Sequence, residues 1–235
     1  SPEMIFLIFF QMIFSLIFTV HLMQSDIQPF SEQLSQKLHL DYQQEMMRRL
    51  IDSYLQEVLS QVVWTAENIH DCCQWNGVEC NVHGRVERIQ WRRRNRHKVL
   101  PRWLPSDVTS VQLEYQGINN VLITRGLPKK SRFIRMESCG IHGAIDLTTL
   151  PPRIRYFALP RNRLSGTFSL LHLHVTLEEL SLNGSADVIL FGMERCLPGG
   201  LKAILVHRQT FQRYRSLDET PMDDRIRMGV LDKEA

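Results

Sequence analysis

A repeat of 23 residues constrains the fold of this chain more than any other feature of its sequence. Leu-Pro pairs at Leu104, Leu127 and Leu150 are spaced 23 residues apart, and a fourth pair at Leu197 follows 47 residues later. Leu173 stands about midway in that longer gap, with histidine where the others have proline. A repeat of constant length indicates similar units that stack on their neighbours and complete a shared core.

An apolar pattern recurs in phase with this repeat and begins four residues after each of the five leucines. A sixth copy precedes the others by 22 residues. The copies are Val86-x-x-Ile89-x-Trp91, Val108-x-x-Val111-x-Leu113, Ser131-x-x-Ile134-x-Met136, Ile154-x-x-Phe157-x-Leu159, Leu177-x-x-Leu180-x-Leu182 and Leu201-x-x-Ile204-x-Val206. Six copies in one phase predict about six similar structural units over residues 86–208.

This pattern resembles that of the leucine-rich repeat family, whose units of about 20–29 residues read L-x-x-L-x-L-x-x-N/C-x-L. The unit at Ile154 matches furthest, because Asn162, Leu164, Gly166 and Phe168 follow in register. The resemblance implies an α/β solenoid in which each unit adds one short parallel strand to a concave face. The Leu-x-Gly ending resembles the plant-type repeat, which forms an extra strand on the convex side. The array also resembles, more loosely, short repeat proteins of protists.

The family resemblance also implies a polar residue inside each turn. Asn162, and Cys139 at the equivalent position of the preceding unit, would bond turn backbone within the solenoid. Two other units carry Gln116 and Ser185 there, so this row of side chains is degenerate.

Residues 65–85 resemble the N-terminal cap of plant-receptor-type repeat proteins, because D-C-C-Q-W-N-G-V-E-C leads into G-R-V at the first repeat. The resemblance implies a disulfide between Cys73 and Cys80. Cys72 lacks the upstream cysteine with which its counterpart pairs, so it is free, paired with another chain or missing its partner. A zinc site is the competing interpretation of the three cysteines, but it leaves Trp75 and the following glycine unexplained.

An apolar segment near the start of the sequence predicts membrane association. Residues 4–23 carry no formal charge, and a helix of this length would cross a hydrocarbon core of about 30 Å. No small-x-small cleavage pattern follows, which favours a signal anchor in residues 1–24 over a cleaved signal peptide. The charges that flank the segment do not fix its orientation, but a disulfide between Cys73 and Cys80, which the cap resemblance implies, would form in an oxidising compartment. We therefore expect a membrane protein with its repeat domain on the exoplasmic side, or a secreted protein if the segment is cleaved.

The segments that flank the repeats have distinct patterns. Residues 25–64 are predicted to be a helical segment, because apolar residues recur at spacings of three and four between Leu50 and Val63. That stripe either packs on the following domain or binds a partner or a membrane surface. Residues 209–235 are strongly charged and are predicted to form a tail or a flap over the last repeat.

Composition and motifs exclude several classes of function. The chain is 43% hydrophobic with a formal charge of +3, which excludes a disordered chain and gives little reason to expect a nucleic-acid partner. The sequence contains no G-x-S-x-G, H-E-x-x-H or GxxxxGK[ST] motif. We therefore expect no enzyme activity, no cofactor and no metal. The basic run at residues 92–98 is expected to be a solvated loop, with contact to an anionic surface as the alternative.

Alternation along the strands predicts three outward columns of side chains. The columns are Arg88, Ser110, Phe133, Tyr156, Glu179 and Ala203; Gln90, Gln112, Arg135, Ala158, Ser181 and Leu205; and Arg92, Glu114, Glu137, Pro160, Asn183 and His207. Phe133 and Tyr156 are neighbours in one column with Arg135 beside them, and such residues are enriched at the energetic centres of interfaces. The predicted partner contacts are Phe133, Arg135, Tyr156, Gln112, Glu114 and Glu137.

Two functional hypotheses follow from these patterns. The first is a membrane-anchored or secreted leucine-rich repeat protein that binds another protein through its concave face. The alternative is a non-catalytic structural subunit of a membrane-associated assembly, positioned by residues 4–23 and the helical segment. Asn183 begins the one Asn-x-Ser/Thr sequence in the chain and is a candidate glycosylation site.

Overall fold

A computed structural model describes residues 31–51, 71–92, 98–185 and 187–229. The chain divides into two compact units, residues 1–42 and 43–235. The described part of the first unit, residues 31–42, is helical. Both β-sheets lie in the second unit.

In the part of the chain that the structure describes, eight strands form the larger sheet: β1 (Val78–Cys80), β2 (Val86–Arg92), β3 (Ser110–Glu114), β4 (Phe133–Glu137), β6 (Tyr156–Ala158), β8 (Glu179–Ser181), β10 (Ala203–Val206) and β12 (Ile226–Met228). They lie side by side in that order. β1 runs antiparallel to β2, whereas every later neighbouring pair is parallel. Successive copies of the apolar pattern therefore pair with each other.

A smaller parallel sheet contains the four other strands of the described residues, β5 (His142–Gly143), β7 (Arg163–Ser169), β9 (Asp187–Gly192) and β11 (Arg215–Ser216). From β4 onward the chain alternates between the two sheets. One buried cluster contains residues of both sheets, namely Ile134 and Phe157 of the larger sheet and Phe168 and Leu190 of the smaller sheet. Strands of both sheets thus contribute apolar residues to a shared core.

Short 3-10 helices precede four of the parallel strands of the larger sheet. They span Pro101–Trp103, Thr124–Gly126, Leu147–Thr149 and Glu194–Cys196. Each is followed directly by a Leu-Pro pair. Proline disfavours the α conformation in the residue before it and lacks the N–H that a helix needs, so none of these turns can extend into an α-helix.

The predicted fold class, an α/β solenoid preceded by a membrane helix, is wrong. The described residues form a mostly β structure of twelve strands in two sheets, with two α-helices, α1 over residues 31–50 and α2 (Arg208–Gln212). No helix among the described residues is long and apolar enough to cross a membrane, and residues 4–23 lie outside that set. The structure therefore supports neither the membrane assignment nor the repeat-family assignment.

The C-terminal part of α1 packs against the start of the larger sheet. Gln43 is 3% exposed; its Nε2 donates to the Gly84 carbonyl at 3.0 Å, and its Oε1 accepts from the Val86 amide at 2.8 Å. Leu50 and Ile51 are buried in the core. Residues 43–51 of the predicted helical segment therefore pack on the sheet that follows, whereas residues 52–64 lie outside the described residues.

The cysteine-rich segment before β2 contains the disulfide that the cap resemblance implies. Cys73 and Cys80 are bonded, and Cys72 is a buried free thiol whose Sγ lies 3.8 Å from Nε2 of Gln43. Asp71, Cys72 and Cys73 bring three potential ligand atoms within 4.8 Å of one another. Because the Cys73 sulfur is oxidised in the disulfide, it is not a thiolate ligand, which argues against the zinc interpretation.

Residues 209–229, expected to belong to a charged tail, contribute regular structure. They supply most of α2 and both β11 and β12, so this segment adds one strand to each sheet. Ile226 of β12 is 3% exposed and joins the core, which accounts for the ordering of an otherwise polar segment.

Candidate functional site on the larger sheet

Parallel pairing aligns side chains into columns on the outer face of the larger sheet. Ser110 lies beside Phe133, Phe133 beside Tyr156, and Tyr156 beside Glu179. The next column runs through Gln90, Gln112, Arg135, Ala158, Ser181 and Leu205. These pairings match the columns expected from sequence, because the phase of the repeat sets the register of each strand against the next.

Phe133 and Tyr156 form a stacked pair on adjacent strands. Their ring centroids are 4.6 Å apart and their planes differ by 5°. Nη1 of Arg135 donates to the Tyr156 hydroxyl at 3.3 Å. Both rings are half-buried, so one side of the pair remains available to solvent. These three residues, with Gln112, Glu114 and Glu137, form what we call the aromatic patch.

Glu137 holds the arginines of the aromatic patch in place. Arg135 donates to its Oε2, and Nη1 of Arg161 lies 3.4 Å from its Oε1. Burial opposes the charged form of Arg135, but the hydrogen bond and charge of Glu137, together with Tyr156, raise the pKa of the guanidinium. The Arg135 side chain is therefore ionised and fixed in orientation.

Glu114 has the equivalent role on the neighbouring strand, β3. Its Oε1 accepts from Nε2 of Gln112 at 2.7 Å, and its Oε2 lies 2.7 Å from Nε of Arg92. The Glu114 side chain is 8% exposed, whereas that of Arg92 is 76% exposed. The structure thus brings all six predicted contact residues together on β3, β4 and β6.

Sequence reasoning missed Arg161, which follows β6 and completes the ion-pair network. Arg161 has φ 55°, and Tyr115 and Ser138 at the equivalent positions have φ 57° and 52°. These three residues follow one another at intervals of 23 positions, so the phase of the repeat could have identified them as equivalent turn positions. The shared left-handed conformation turns the chain away from the sheet directly after the strand.

Hydrogen bonds in the interior fix the turns that carry the aromatic patch. Oδ1 of Asn162 accepts from the amides of Cys139 and Ile141, both at 3.1 Å. Its Nδ2 donates to the carbonyl oxygens of Met136 at 2.7 Å and Pro160 at 3.2 Å. One buried side chain therefore ties the turn after β4 to the segment after β6, and so positions Glu137 relative to Arg161.

Several positions expected to face outward are buried. Ala158 is 0%, Ser181 6% and Asn183 6% exposed. A Cβ placed on Gly229 would lie 2.6 Å from Cγ of Asn183, so the two residues are in close contact. A glycan on Asn183 would have to displace Gly229, and its predicted glycosylation conflicts with the folded arrangement.

The aromatic patch offers rings, one amide and ionised groups, without a nucleophile paired with a base among its six residues. Such a set of groups supports recognition. The sequence matches no family model and no curated protein.

Proposed function

We propose that the outer face of the larger sheet binds a protein partner through the aromatic patch. The observation that carries the proposal is the stacked pair of Phe133 and Tyr156, half-buried on the sheet and hydrogen-bonded to Arg135. Tyrosine and arginine are enriched among residues that dominate binding energy, and they are typically surrounded by contacts that exclude water. Glu114 and Glu137, both largely buried, border the rings and the guanidinium group on the same face.

The rigidity of the aromatic patch favours tight binding. Its residues stand on neighbouring parallel strands, about 4.8 Å apart. Ring stacking restricts Phe133 and Tyr156, and the bond to Glu137 restricts Arg135. A partner would therefore lose little of its binding energy to the ordering of these side chains.

A pull-down comparison with matched variants tests the proposal. The face variant carries Phe133→Ser and Tyr156→Ser, and the control carries Val121→Ser and Ile123→Ser, which remove two apolar side chains 44% and 66% exposed outside the aromatic patch. Proteins captured by the wild type and by the control should be lost with the face variant, while thermal melting shows both variants folded. Equal capture by both variants would contradict the proposal.

A structural subunit is the second candidate function, and one observation on α1 favours it. Leu34, Leu38 and Tyr42 recur every four residues and are 48%, 61% and 62% exposed. A row of exposed apolar side chains on a helix is typical of a packing surface in an assembly. Leu34→Glu with Leu38→Glu should release the chain from such an assembly and leave capture through the aromatic patch unchanged.

A further inference from the structure

We infer that the partner segment recognised by the aromatic patch is acidic, with carboxylates that lie against Arg92 and Arg135. This inference rests on the proposed function of the same face. The inference rests on a difference in exposure: in this ion-pair network the carboxylates are largely buried, whereas the guanidinium groups are more exposed.

The negative charges of the aromatic patch are covered and already bonded. The side chains of Glu114 and Glu137 are 8% and 11% exposed. Each of their four carboxylate oxygens contacts a donor of this chain, contributed by Gln112 and by arginines. A basic partner would therefore find no accessible carboxylate on these two residues.

The positive charges, in contrast, remain accessible. Arg92 is 76% exposed, and Glu114 engages its Nε atom. The side chain of Arg135 is 31% exposed and contacts Glu137 and Tyr156 through its two terminal nitrogens. Because a guanidinium carries five N–H donors in a planar fork, both arginines retain donors suited to a carboxylate.

The stacked rings and Glu179 determine how a bound acidic segment would be oriented on the sheet. Arg135 lies two residues along β4 from Phe133, about 7 Å away, and Arg92 lies two strands across the sheet and two residues further along, about 12 Å from Arg135. Glu179, partly exposed, lies beside Tyr156 on the side away from β4. An acidic segment with an aromatic residue would place its ring on the Phe133–Tyr156 pair and its carboxylates toward β2, away from Glu179.

Fluorescence anisotropy with the full chain tests this inference. The probe is a fluorescein-labelled peptide of about eight alternating Glu and Tyr residues, which spans about 26 Å when extended and can cross the distance of about 14 Å from β2 to β6. Peptides with Gln or Lys in place of Glu serve as comparisons. We expect the Glu peptide to bind about tenfold more tightly than the Gln peptide, a difference of about 1.4 kcal/mol, and the Lys peptide not to bind.

Variants locate the binding. Arg135→Gln and Arg92→Gln should each weaken Glu-peptide binding about tenfold, whereas Arg135→Lys, which keeps the charge, should weaken it less. Arg163→Gln removes an exposed arginine from β7 in the smaller sheet and should change nothing. Glu179→Gln should leave binding unchanged or strengthen it.

Three results would overturn the inference: no binding of the Glu peptide, equal binding of the Glu and Gln peptides, or equal loss with Arg163→Gln. Tighter binding of an oligouridine RNA of similar length, lost with the same arginine variants, would make the surface a nucleic-acid site instead. If the pull-down partner is lost with the Phe133→Ser, Tyr156→Ser variant while the Glu peptide fails to bind, the protein-binding face stands and only its acidic preference is wrong.

Discussion

At the scale of single residues, burial decides which cysteines can react. Burial, followed by the charge of Asp71, raises the pKa of the Cys72 thiol to about 11. Burial raises the pKa of the Cys139 thiol to about 12. Cys196 is partly exposed on a 3-10 helix. Since the thiolate is the nucleophile, burial protects Cys72 and Cys139 both by limiting access and by raising their pKa, whereas Cys196 is accessible.

Alkylation of the folded protein with iodoacetamide at pH 8 should therefore modify Cys196 first. Cys72 and Cys139 should react only after denaturation, and Cys73 and Cys80 only after reduction as well, because they are joined in a disulfide. Peptide mapping by mass spectrometry at timed intervals gives the order. Reaction of Cys139 as fast as Cys196 would show that the turn after β4 is open to solvent.

At the scale of strands, neighbouring residues on β6 have opposite environments. Phe157 is 0% exposed in the core, while Tyr156 stacks on Phe133 at the outer face. Phe157→Ala should lower the free energy of unfolding by about 3–5 kcal/mol, because it leaves a large cavity. Tyr156→Ala should lower it by about 1 kcal/mol, the contribution of the aromatic pair. Urea unfolding of both variants measures the difference, and similar losses would contradict the alternation of this strand.

The strand positions and their register were predictable from particular residues. Phe133 and Tyr156 stand 23 residues apart, so the repeat phase places them side by side once the strands are parallel. The burial of Ala158 and Ser181 was not predictable, because alternation assigns a side chain to a face without showing what covers that face. The bonds of Arg161 also escaped prediction, since they depend on a turn conformation rather than on apolar periodicity.

The last strand of the larger sheet depends on an ion pair that acid should break. Asp223 is 7% exposed, and its Oδ1 accepts from Nε of Arg225 at 2.8 Å and from the Arg225 amide at 2.9 Å. The hydrogen bond from the Arg225 side chain lowers the pKa of Asp223 below its usual 3.8. A lowered pKa in the folded state means that this stabilisation is present above about pH 3.8 and is lost as the pH falls through the folded pKa.

Asp223→Asn should therefore lower the free energy of unfolding at pH 7 by about 2 kcal/mol. It should also flatten the decline in stability as the pH falls below about 4, because the titrating carboxylate is gone. Urea unfolding at several pH values provides the measurement. Glu219→Gln, which removes an exposed carboxylate from the same segment, is the control and should follow the wild type throughout.

At the scale of the whole molecule, the start of the larger sheet is closed by the C-terminal part of α1 and by the disulfide segment. Cys73 and Cys80 are seven residues apart, and Trp75 between them is 2% exposed in the core. The predicted α/β class is wrong because the spacing of the repeat predicts where strands occur but does not predict the conformation of the segments that connect them. Proline after each short turn keeps those connections from becoming α-helices.

Replacement of both Cys73 and Cys80 by serine should lower the free energy of unfolding by about 2–3 kcal/mol, the value that loop-closure entropy gives for so short a loop. Thermal melting of the wild type with and without reductant should show the same loss, while the double variant should not respond to reductant. An unchanged melt of the reduced wild type would mean that the disulfide does not contribute to stability. A disulfide that forms in the cell would indicate that the domain matures in an oxidising compartment.

The even spacing of paired strands has a consequence for synthesis on the ribosome. Four successive strands pair through residues that stand 23 positions apart, Ser110, Phe133, Tyr156 and Glu179, so the connections between these strands have the same modest length. The N-terminal strands emerge first and offer their outer edge as a template to the next. A nascent chain that stalls within a unit keeps that edge unpaired, and an unpaired edge can capture a strand of a neighbouring nascent chain. Translation that is slow relative to strand addition would therefore favour such cross-chain pairing equally at each of these strands.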